Sequence, residues 1–321
     1  MPLTRVLVEY PIGFGDGTYI YPAGIAKIGA LNVRSFVLGS SGLAEFQSAA
    51  SGVDLTTLNN HVLIGFACGS FDWESLKSGD HKDHMELLRY FSEVADRKCL
   101  DIVRYHQCRL DLPDTLPGRP GQTENNMMAG ALIFNAGLCE GRIIGGDAFF
   151  TMVTKGLGLD ISPVSIDNMP ANGTVGHTAR HALSLYSRLL EIDNQSVKFA
   201  QAIALLEFLA SPFEYQQFKK SKKVIARYVA NDRSEYDRLL VRFQELTGNV
   251  DSSGQQAGYR TRIVHMGDRI ERLIPSMLDR QKLFKELDRY IHKVLDHLIE
   301  YSHWGWEDYE KVREQLKPFE Q

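Results

Sequence analysis

The sequence has few cysteines, lacks a C-x-x-C pair and contains no long apolar run. Its four cysteines stand far apart, at Cys68, Cys99, Cys108 and Cys139, which argues against a disulfide framework or a zinc ribbon. The first residues, MPLTRVLVEYP, lack the charged start and apolar stretch of a secretory signal, so we expect reduced thiols and a cytoplasmic protein. The longest apolar candidate, 203–209, is interrupted by Glu207 and is far shorter than the roughly 20 residues of a membrane span, so we expect no membrane partner.

An excess of basic charge is also missing. The formal net charge is −4, so contact with a nucleic acid would need a local basic patch, not the field of the whole protein. There is no G-x-S-x-G nucleophile elbow. Gly13, Gly15 and Gly17 in GFGDG do not follow the G-x-G-x-x-G spacing and precede no lysine, so they predict a tight turn between strands and not a phosphate loop.

The first half of the chain has the pattern of an α+β module. Short β-branched or aromatic runs between glycines predict strands at Val6 to Tyr10, Thr18 to Tyr21, Ser35 to Leu38, His61 to Ala67, Ala131 to Phe134 and Arg142 to Val153. Between them, apolar residues at helical spacing predict one long helix or two abutting helices from about His84 to Cys108. We interpret 1–160 as a sensing or positioning module and 161–175, rich in Gly, Pro and Asn, as a linker.

The second half, 176–321, has the pattern of an all-helical domain. A helix capped by Asn194 or Ser196 carries apolar residues from Val197 to Leu209. A second helix centres on Ile225 and a third ends at Gly248. A fourth follows, and a fifth carries Phe284 to Leu298 on one stripe. These helices predict a packed bundle, with the Trp304-Gly305-Trp306 tail and a last charged helix covering one end.

The fourth helix carries the residues that point to chemistry. It is expected to start near Tyr259 and to place Ile263, Met266, Ile270, Leu273 and Ile274 on one apolar stripe. His265 would then lie roughly 130° from that stripe and face solvent or a partner. Arg260, in the first turn, and His265 form the only R-x(4–6)-H spacing in the chain.

An arginine and a histidine in this arrangement suit the cleavage of RNA. A neutral imidazole, with an ordinary pKa of about 6.5, can take the proton of a ribose 2′-OH near neutral pH. A guanidinium at a helix N-terminus can hold phosphate and stabilise the charge that develops during attack. Such a reaction needs no metal ion or other cofactor.

Tyr259-Arg260, followed by Ile263-Val264-His265 and a glycine at Gly267, resembles the motif of the HEPN domain family, and specifically its ApeA-like group. The resemblance covers about 120 to 145 residues and includes the segments SVKFAQAIALLEFLASPFEYQQFKKSKKVIA and LFKELDRYIHKVL. In this chain Met266 separates the histidine from the glycine that usually follows it.

The resemblance implies a helical bundle that forms a homodimer, or a larger oligomer of dimers, so that two motifs build one metal-independent RNA-cleaving site. It implies Arg260 and His265 as the catalytic pair, with Tyr259 and Thr261 as supporting residues. It also implies a role in phage defence by abortive infection or in toxin-like growth arrest. A phage-derived or protein trigger would then act on the first half of the chain.

A lysine-rich segment precedes this motif. Its basic residues are Lys219, Lys220, Lys222, Lys223 and Arg227. They are candidates for binding RNA phosphates, and the alternative is a solvated helix surface without a partner.

Other readings remain open at this point. The helical domain is either a ribonuclease or a non-catalytic HEPN dimerisation or adaptor module that binds RNA or a protein. A weaker reading makes the first half a sugar-binding or β-rich enzyme domain. The His177/His181 pair and the HKDH segment at 81–84 have metal-ligand spacing but lack further ligands at recognisable spacing, so we predict no metal site.

Overall fold

The chain divides into two compact units. The structure, a computed structural model, describes residues 1–24, 58, 60–69, 72–112, 116–123, 128–135, 140–147, 159–160, 169–214, 218–248 and 258–315. The first unit comprises Met1–Gln107 and Asp114–Asp167, and the second comprises Cys108–Pro113 and Asn168–Gln321. Small sheets occur in the first unit and the described part of the second unit is mainly helical, so the protein belongs to the α+β class.

The first unit is built from short strands. In chain order they are β1 Pro2–Leu3, β2 Val6–Leu7, β3 Ile12–Gly13, β4 Tyr19–Tyr21, β5 Val62–Gly65, β6 Met128–Asn135, β7 Glu140–Asp147 and β8 Leu159–Asp160. Strands β1, β5, β4 and β3 form an antiparallel sheet in that order, β6 and β7 form an antiparallel hairpin, and β2 pairs in parallel with β8. The strand predicted at Ser35 to Leu38 lies outside the described residues.

The glycine-rich GFGDG segment forms a tight turn, as predicted. It joins β3 to β4, whose register pairs Ile12 with Ile20. The backbone N–H of Phe14 donates to the carbonyl oxygen of Thr18 at 2.9 Å. Gly15 and Gly17 have φ angles of 77° and 81°, a left-handed conformation that glycine adopts without steric cost.

The helices of the first unit are α1 Trp73–Ser78, α2 His81–Ala95 and α3 Asp101–Gln107, with a π-helical turn, Asp96–Leu100, between α2 and α3. One long helix or two abutting helices were predicted here. The structure has two, and the π-helical turn is the junction between them. Asp80 caps α2 through a reciprocal hydrogen-bond pair with Asp83. Trp73, Leu88 and Phe91 pack with Ile133 and Ile144 in the core between these helices and the hairpin.

The second unit consists of the segment 108–113, which we call the strap, and a series of helices. They are α4 Thr174–Leu190, α5 Gln195–Ala210, α6 Phe218–Val229, α7 Arg233–Thr247, α8 Tyr259–Met266, α9 Ile270–Leu273, α10 Met277–Glu300 and α11 Trp306–Gln315. Helix α5 packs against α4, α6, α8, α9 and α10. It is therefore the central helix of this unit.

The ends of several of these helices follow the predicted capping signals. The Asn194 side chain accepts the backbone N–H groups of Ser196 and Val197 at the start of α5, and α7 ends at Gly248. Phe284, Leu287, Ile291, Val294, Leu295 and Leu298 of α10 are buried, as their spacing predicted. Apolar faces, and not intrinsic helix propensity, thus hold the bundle together.

Candidate functional site

Helix α8 is short and lies on the surface. It begins after Gly258 without a side-chain cap and ends at Gly267, which has a φ of 73°. A glycine in the left-handed conformation is a common helix terminator. None of the α8 side chains is fully buried. The prediction of one continuous helix with a buried stripe through Met266 and Ile270 is therefore wrong: Gly267 breaks the helix, Met266 is exposed, and only Ile270 of that pair is buried.

Arg260 is held by a carboxylate on α5. Its two terminal nitrogens donate to the two carboxylate oxygens of Glu207 at 2.5 and 2.9 Å. The arginine side chain is 31% exposed and that of Glu207 is 19% exposed. A bidentate pair of this kind fixes the direction of the guanidinium plane. The helix thus presents Arg260 toward α5 with one side still open to solvent.

His265 is exposed in the last turn of α8, as its position off the predicted stripe indicated. Among the described residues its imidazole makes no side-chain hydrogen bond or ion pair, and none joins it to Arg260. Five residues of α-helix separate two side chains by about 140° around the axis and by about 7.5 Å along it. One copy of α8 therefore carries both groups without directing them at a single point.

Tyr259 and Thr261 position α8 within the bundle. The Tyr259 ring meets the ring of Phe199 edge-on, with centroids 6.4 Å apart. The Thr261 hydroxyl donates to the carbonyl oxygen of Gly248 at 3.2 Å. Arg262 pairs with Asp268 at 2.9 Å. These contacts orient the helix on which Arg260 and His265 lie.

Five exposed apolar side chains lie on α8 and near the start of α5 and of α10. Val264 and Met266 lie on either side of His265 in the sequence and are both exposed, as are Val197 of α5 and Met277 and Leu278 of α10. Two side-chain contacts bring the N-terminal end of α5 to the start of α9 and of α10. The Ile270 N–H donates to the Ser196 hydroxyl at 2.9 Å, and Arg280 donates to Gln195 at 2.7 Å. We call the five exposed side chains the apolar end.

The basic residues of α6 do not share one environment. Lys220 and Lys223 are exposed and have no ion-pair partner in the described part of the chain. Lys222 donates to Gln244 of α7 at 3.1 Å, and Arg227 lines a cleft. The side chain of Lys219 lies outside the described residues. Helices α6 and α8 both pack against α5 and α7, so the lysines and the Arg260–His265 pair belong to the same unit.

The residues proposed as alternative metal ligands have other surroundings. His177 and His181 are exposed on α4, and His181 meets the ring of Phe208 edge-on. The His84 ring nitrogen lies 3.2 Å from the carbonyl oxygen of Leu76. No group of three or more His, Cys, Asp or Glu side chains in the described ranges is arranged to hold a metal ion.

Two features of the second unit were missed from the sequence. Glu207, the partner of Arg260, appeared only as a break in an apolar run. An acidic residue within such a run is itself a signal, because a carboxylate among core residues needs a partner. The second missed feature is the cleft beside Arg227, to which Trp306 and Arg313 of α11 contribute.

Comparisons of the chain with protein-family models, with curated proteins and with solved structures found no match. The described helices include none that is long and apolar enough to cross a membrane. The assignment of a function therefore depends on the geometry of α8 and its neighbours.

Proposed function

We propose that the second unit is a HEPN-type, metal-independent endoribonuclease that acts in the cytoplasm, in phage defence or growth arrest. The observation that carries the proposal is the exposure of His265 on a helix whose other motif residue, Arg260, is held in a fixed direction. In this role His265 exchanges a proton with the ribose 2′-OH and the leaving oxygen. Arg260 binds the phosphate that is attacked. The 2′-oxygen bonds to phosphorus as the bond to the 5′-oxygen breaks, so one product ends in a 2′,3′-cyclic phosphate and the other begins with a 5′-OH.

The Glu207 carboxylate indicates how Arg260 would hold a phosphate. Two carboxylate oxygens accept from the two terminal nitrogens of the guanidinium, and two phosphate oxygens can accept from the same fork. The exposed part of the arginine is the side from which RNA would approach. Phosphate would then share the guanidinium with Glu207 or displace it.

A homodimer would bring two copies of the motif together. Arg260 and His265 of one copy point in different directions along α8, so a second copy would have to supply the complementary group. The apolar end offers a surface for such an association, because exposed apolar side chains beside polar ones are found at protein interfaces. In this arrangement the first unit binds the phage-derived or protein trigger that activates cleavage.

One observation favours an adaptor instead. A bidentate ion pair between Arg260 and Glu207 joins α8 to α5, and that is a structural task that an arginine can perform in a protein without activity. In the adaptor the same apolar end binds a second copy or a protein partner, and the α6 lysines bind RNA or an acidic partner. A test for RNA cleavage distinguishes the endoribonuclease from the adaptor.

The test is incubation of the whole chain with total cellular RNA in EDTA, beside His265→Ala and the control His177→Ala. His177 is another exposed histidine of the same unit. We expect discrete fragments with cyclic phosphate ends from the wild type and from His177→Ala, and at least about a hundredfold slower cleavage by His265→Ala, the loss of one general acid or base. Intact RNA with all three proteins, while each is folded and dimeric, would favour the adaptor.

A further inference from the structure

A cleft of about 810 Å³ opens in the second unit between the C-terminal end of α5, helix α6 and helix α11. Its half-buried wall contains Arg227, Tyr228, Trp306 and Arg313, and the exposed ring of Phe213 stands at its edge. Neither the Arg260–His265 pair nor its partner Glu207 lines it. The cleft is therefore a separate feature from the proposed catalytic centre.

The aromatic rings of the cleft are fixed in direction. Trp306 meets Phe213 edge-on, with ring centroids 4.8 Å apart, and its indole N–H donates to Glu310 at 2.9 Å. The Arg313 guanidinium lies over the Trp306 ring, 5.4 Å from its centroid, and donates to the carbonyl oxygen of Ala210. Phe213 is 61% exposed, so its ring remains open for a planar ligand.

A basic strip on α6 leads into this cleft. Positions 220, 223 and 227 fall within about 60° of each other around a helix, since each residue adds about 100°. Lys220 and Lys223 are exposed, and Arg227 lies in the cleft wall. The spacing of the three residues along the helix, about 10 Å from first to last, suits contact with consecutive phosphates.

The charges of the cleft itself do not favour a phosphate inside it. Its lining contains three basic residues, Arg227, Lys311 and Arg313, and four acidic ones, Glu214, Glu307, Glu310 and Glu314. A neutral planar group is the better occupant, and carboxylates at the rim can accept from the exocyclic amino group of a base. Phosphates would stay on the part of the strip outside the cleft, at Lys220 and Lys223.

We infer that the cleft holds an unstacked base of single-stranded RNA whose backbone follows the Lys220–Lys223–Arg227 strip. An exposed aromatic ring, here Phe213, beside a basic track is an arrangement with which proteins bind single strands, because every base offers a face for stacking. A base within a duplex is already stacked and cannot enter. The inference rests on the proposed function in taking RNA as the ligand, but it does not need cleavage.

The experiment measures binding of a labelled single-stranded RNA dodecamer to the whole chain carrying His265→Ala, so that no RNA is cut. We expect Phe213→Ala to weaken binding about 5- to 140-fold, the value of one stacked base. Lys223→Ala should lower the slope of log affinity against log salt concentration by about 0.7, the value for one phosphate on a single strand. The matched control, Val241→Ala, changes an equally exposed apolar residue on α7 and should leave binding unchanged.

The outcomes distinguish this inference from the proposed function. Equal affinity of the Phe213→Ala and control proteins would overturn the inference, and so would equal affinity for a duplex of the same sequence. If the wild type cuts RNA while Phe213→Ala binds RNA normally, the proposed nuclease activity is supported and the proposed base-binding site is overturned. If RNA binding depends on Phe213 but none of the proteins cuts RNA, the base-binding site is supported and the proposed nuclease activity is overturned. Binding of an acidic peptide but not of RNA would overturn the inference in favour of a protein partner.

Discussion

At the scale of single residues, the pair formed by Arg260 and Glu207 decides what α8 can do. Both side chains are partly exposed, so solvent screens the pair and its contribution to stability is modest. Its larger effect is on the direction of the guanidinium. A carboxylate that accepts from both terminal nitrogens occupies the same donors that a phosphate would need.

We predict that Glu207→Gln increases RNA cleavage at low RNA concentration. The neutral amide competes less strongly for the guanidinium, so phosphate reaches Arg260 more easily and KM falls while kcat changes little. The unfolding free energy should fall by about 1 kcal/mol or less, the range of an exposed or partly exposed ion pair. Steady-state cleavage of a short RNA and denaturant unfolding measure the two effects.

The bundle contains a matched control for this change. Arg242 of α7 forms a bidentate pair with Glu286 of α10, with side chains 32% and 22% exposed, close to the values for Arg260 and Glu207. Because Glu286 also accepts from the Tyr290 hydroxyl at 2.6 Å, Glu286→Gln should lower stability at least as much, without altering KM. A folded Glu207→Gln protein that cuts RNA more slowly than the wild type would show instead that Glu207 positions Arg260 for the reaction.

At the scale of helices, the start of α4 depends on residues far along the chain. Gly173 precedes this helix and offers no side-chain cap. The carbonyl oxygen of Ser302 accepts the Gly176 N–H at 3.0 Å, and that of Trp304 accepts the Val175 N–H at 3.3 Å. The turn after α10 thus satisfies N–H groups that a helix leaves unpaired at its first turn.

We predict that Gly176→Ala destabilises the protein, although alanine usually stabilises a helix relative to glycine by about 1 kcal/mol. A Cβ at position 176 would collide with the carbonyl oxygen of Ala171 and stand 2.7 Å from that of Ser302. Both are backbone atoms that cannot turn away, so we expect a loss of about 1–3 kcal/mol, as for other overpacked sites. Gly305→Ala, where a Cβ meets no atom within 4 Å, should change stability little, and urea unfolding compares the two.

Helices with local capping signals could be predicted from the sequence, whereas a helix capped by distant residues could not. Helices α5, α7 and α10 carry local signals, such as the Asn194 cap and the Gly248 end, together with a regular apolar face. Helix α4 was not identified as an element, because its N-cap residue, Gly173, makes no side-chain cap and the turn at Ser302 accepts its first N–H groups instead. The break at Gly267 was missed because apolar residues on both sides of it continued the helical spacing, whereas the left-handed glycine stops the helix.

At the scale of the whole molecule, two separate segments of the chain, Cys108–Pro113 and Asn168–Gln321, belong to the second unit. The strap contributes Leu110, which is 2% exposed, and its N–H donates to Asp288 of α10 at 3.3 Å. Tyr186 of α4 donates to the same carboxylate oxygen at 2.6 Å and lies 3.3 Å from the carbonyl oxygen of Cys108. Burial raises the pKa of Asp288. A buried carboxylate therefore joins the strap to two helices of the bundle.

Some features of the candidate site could be predicted from the sequence, and others could not. The exposure of His265 followed from helical spacing, which is local. The pairing of Arg260 with Glu207 and of the strap with Asp288 joins residues 53 and 178 positions apart. Such contacts depend on how helices pack, and no short-range pattern encodes them. The same holds for the cleft, whose walls come from three helices.

We predict that Leu110→Ala destabilises the second unit by about 2–5 kcal/mol, the range for truncating a buried leucine. Leu112→Ala is the control, because Leu112 lies in the same strap but is 45% exposed, and exposed changes usually stay within about 0.5 kcal/mol. Both variants are made with Trp73→Phe, so that the remaining tryptophans, Trp304 and Trp306, report denaturant unfolding of the second unit alone. Equal unfolding midpoints for the two variants would contradict a strap that belongs to the bundle core. A clear difference would mean that a fragment beginning at residue 168 lacks part of its own core, and that nuclease activity should be tested with the whole chain.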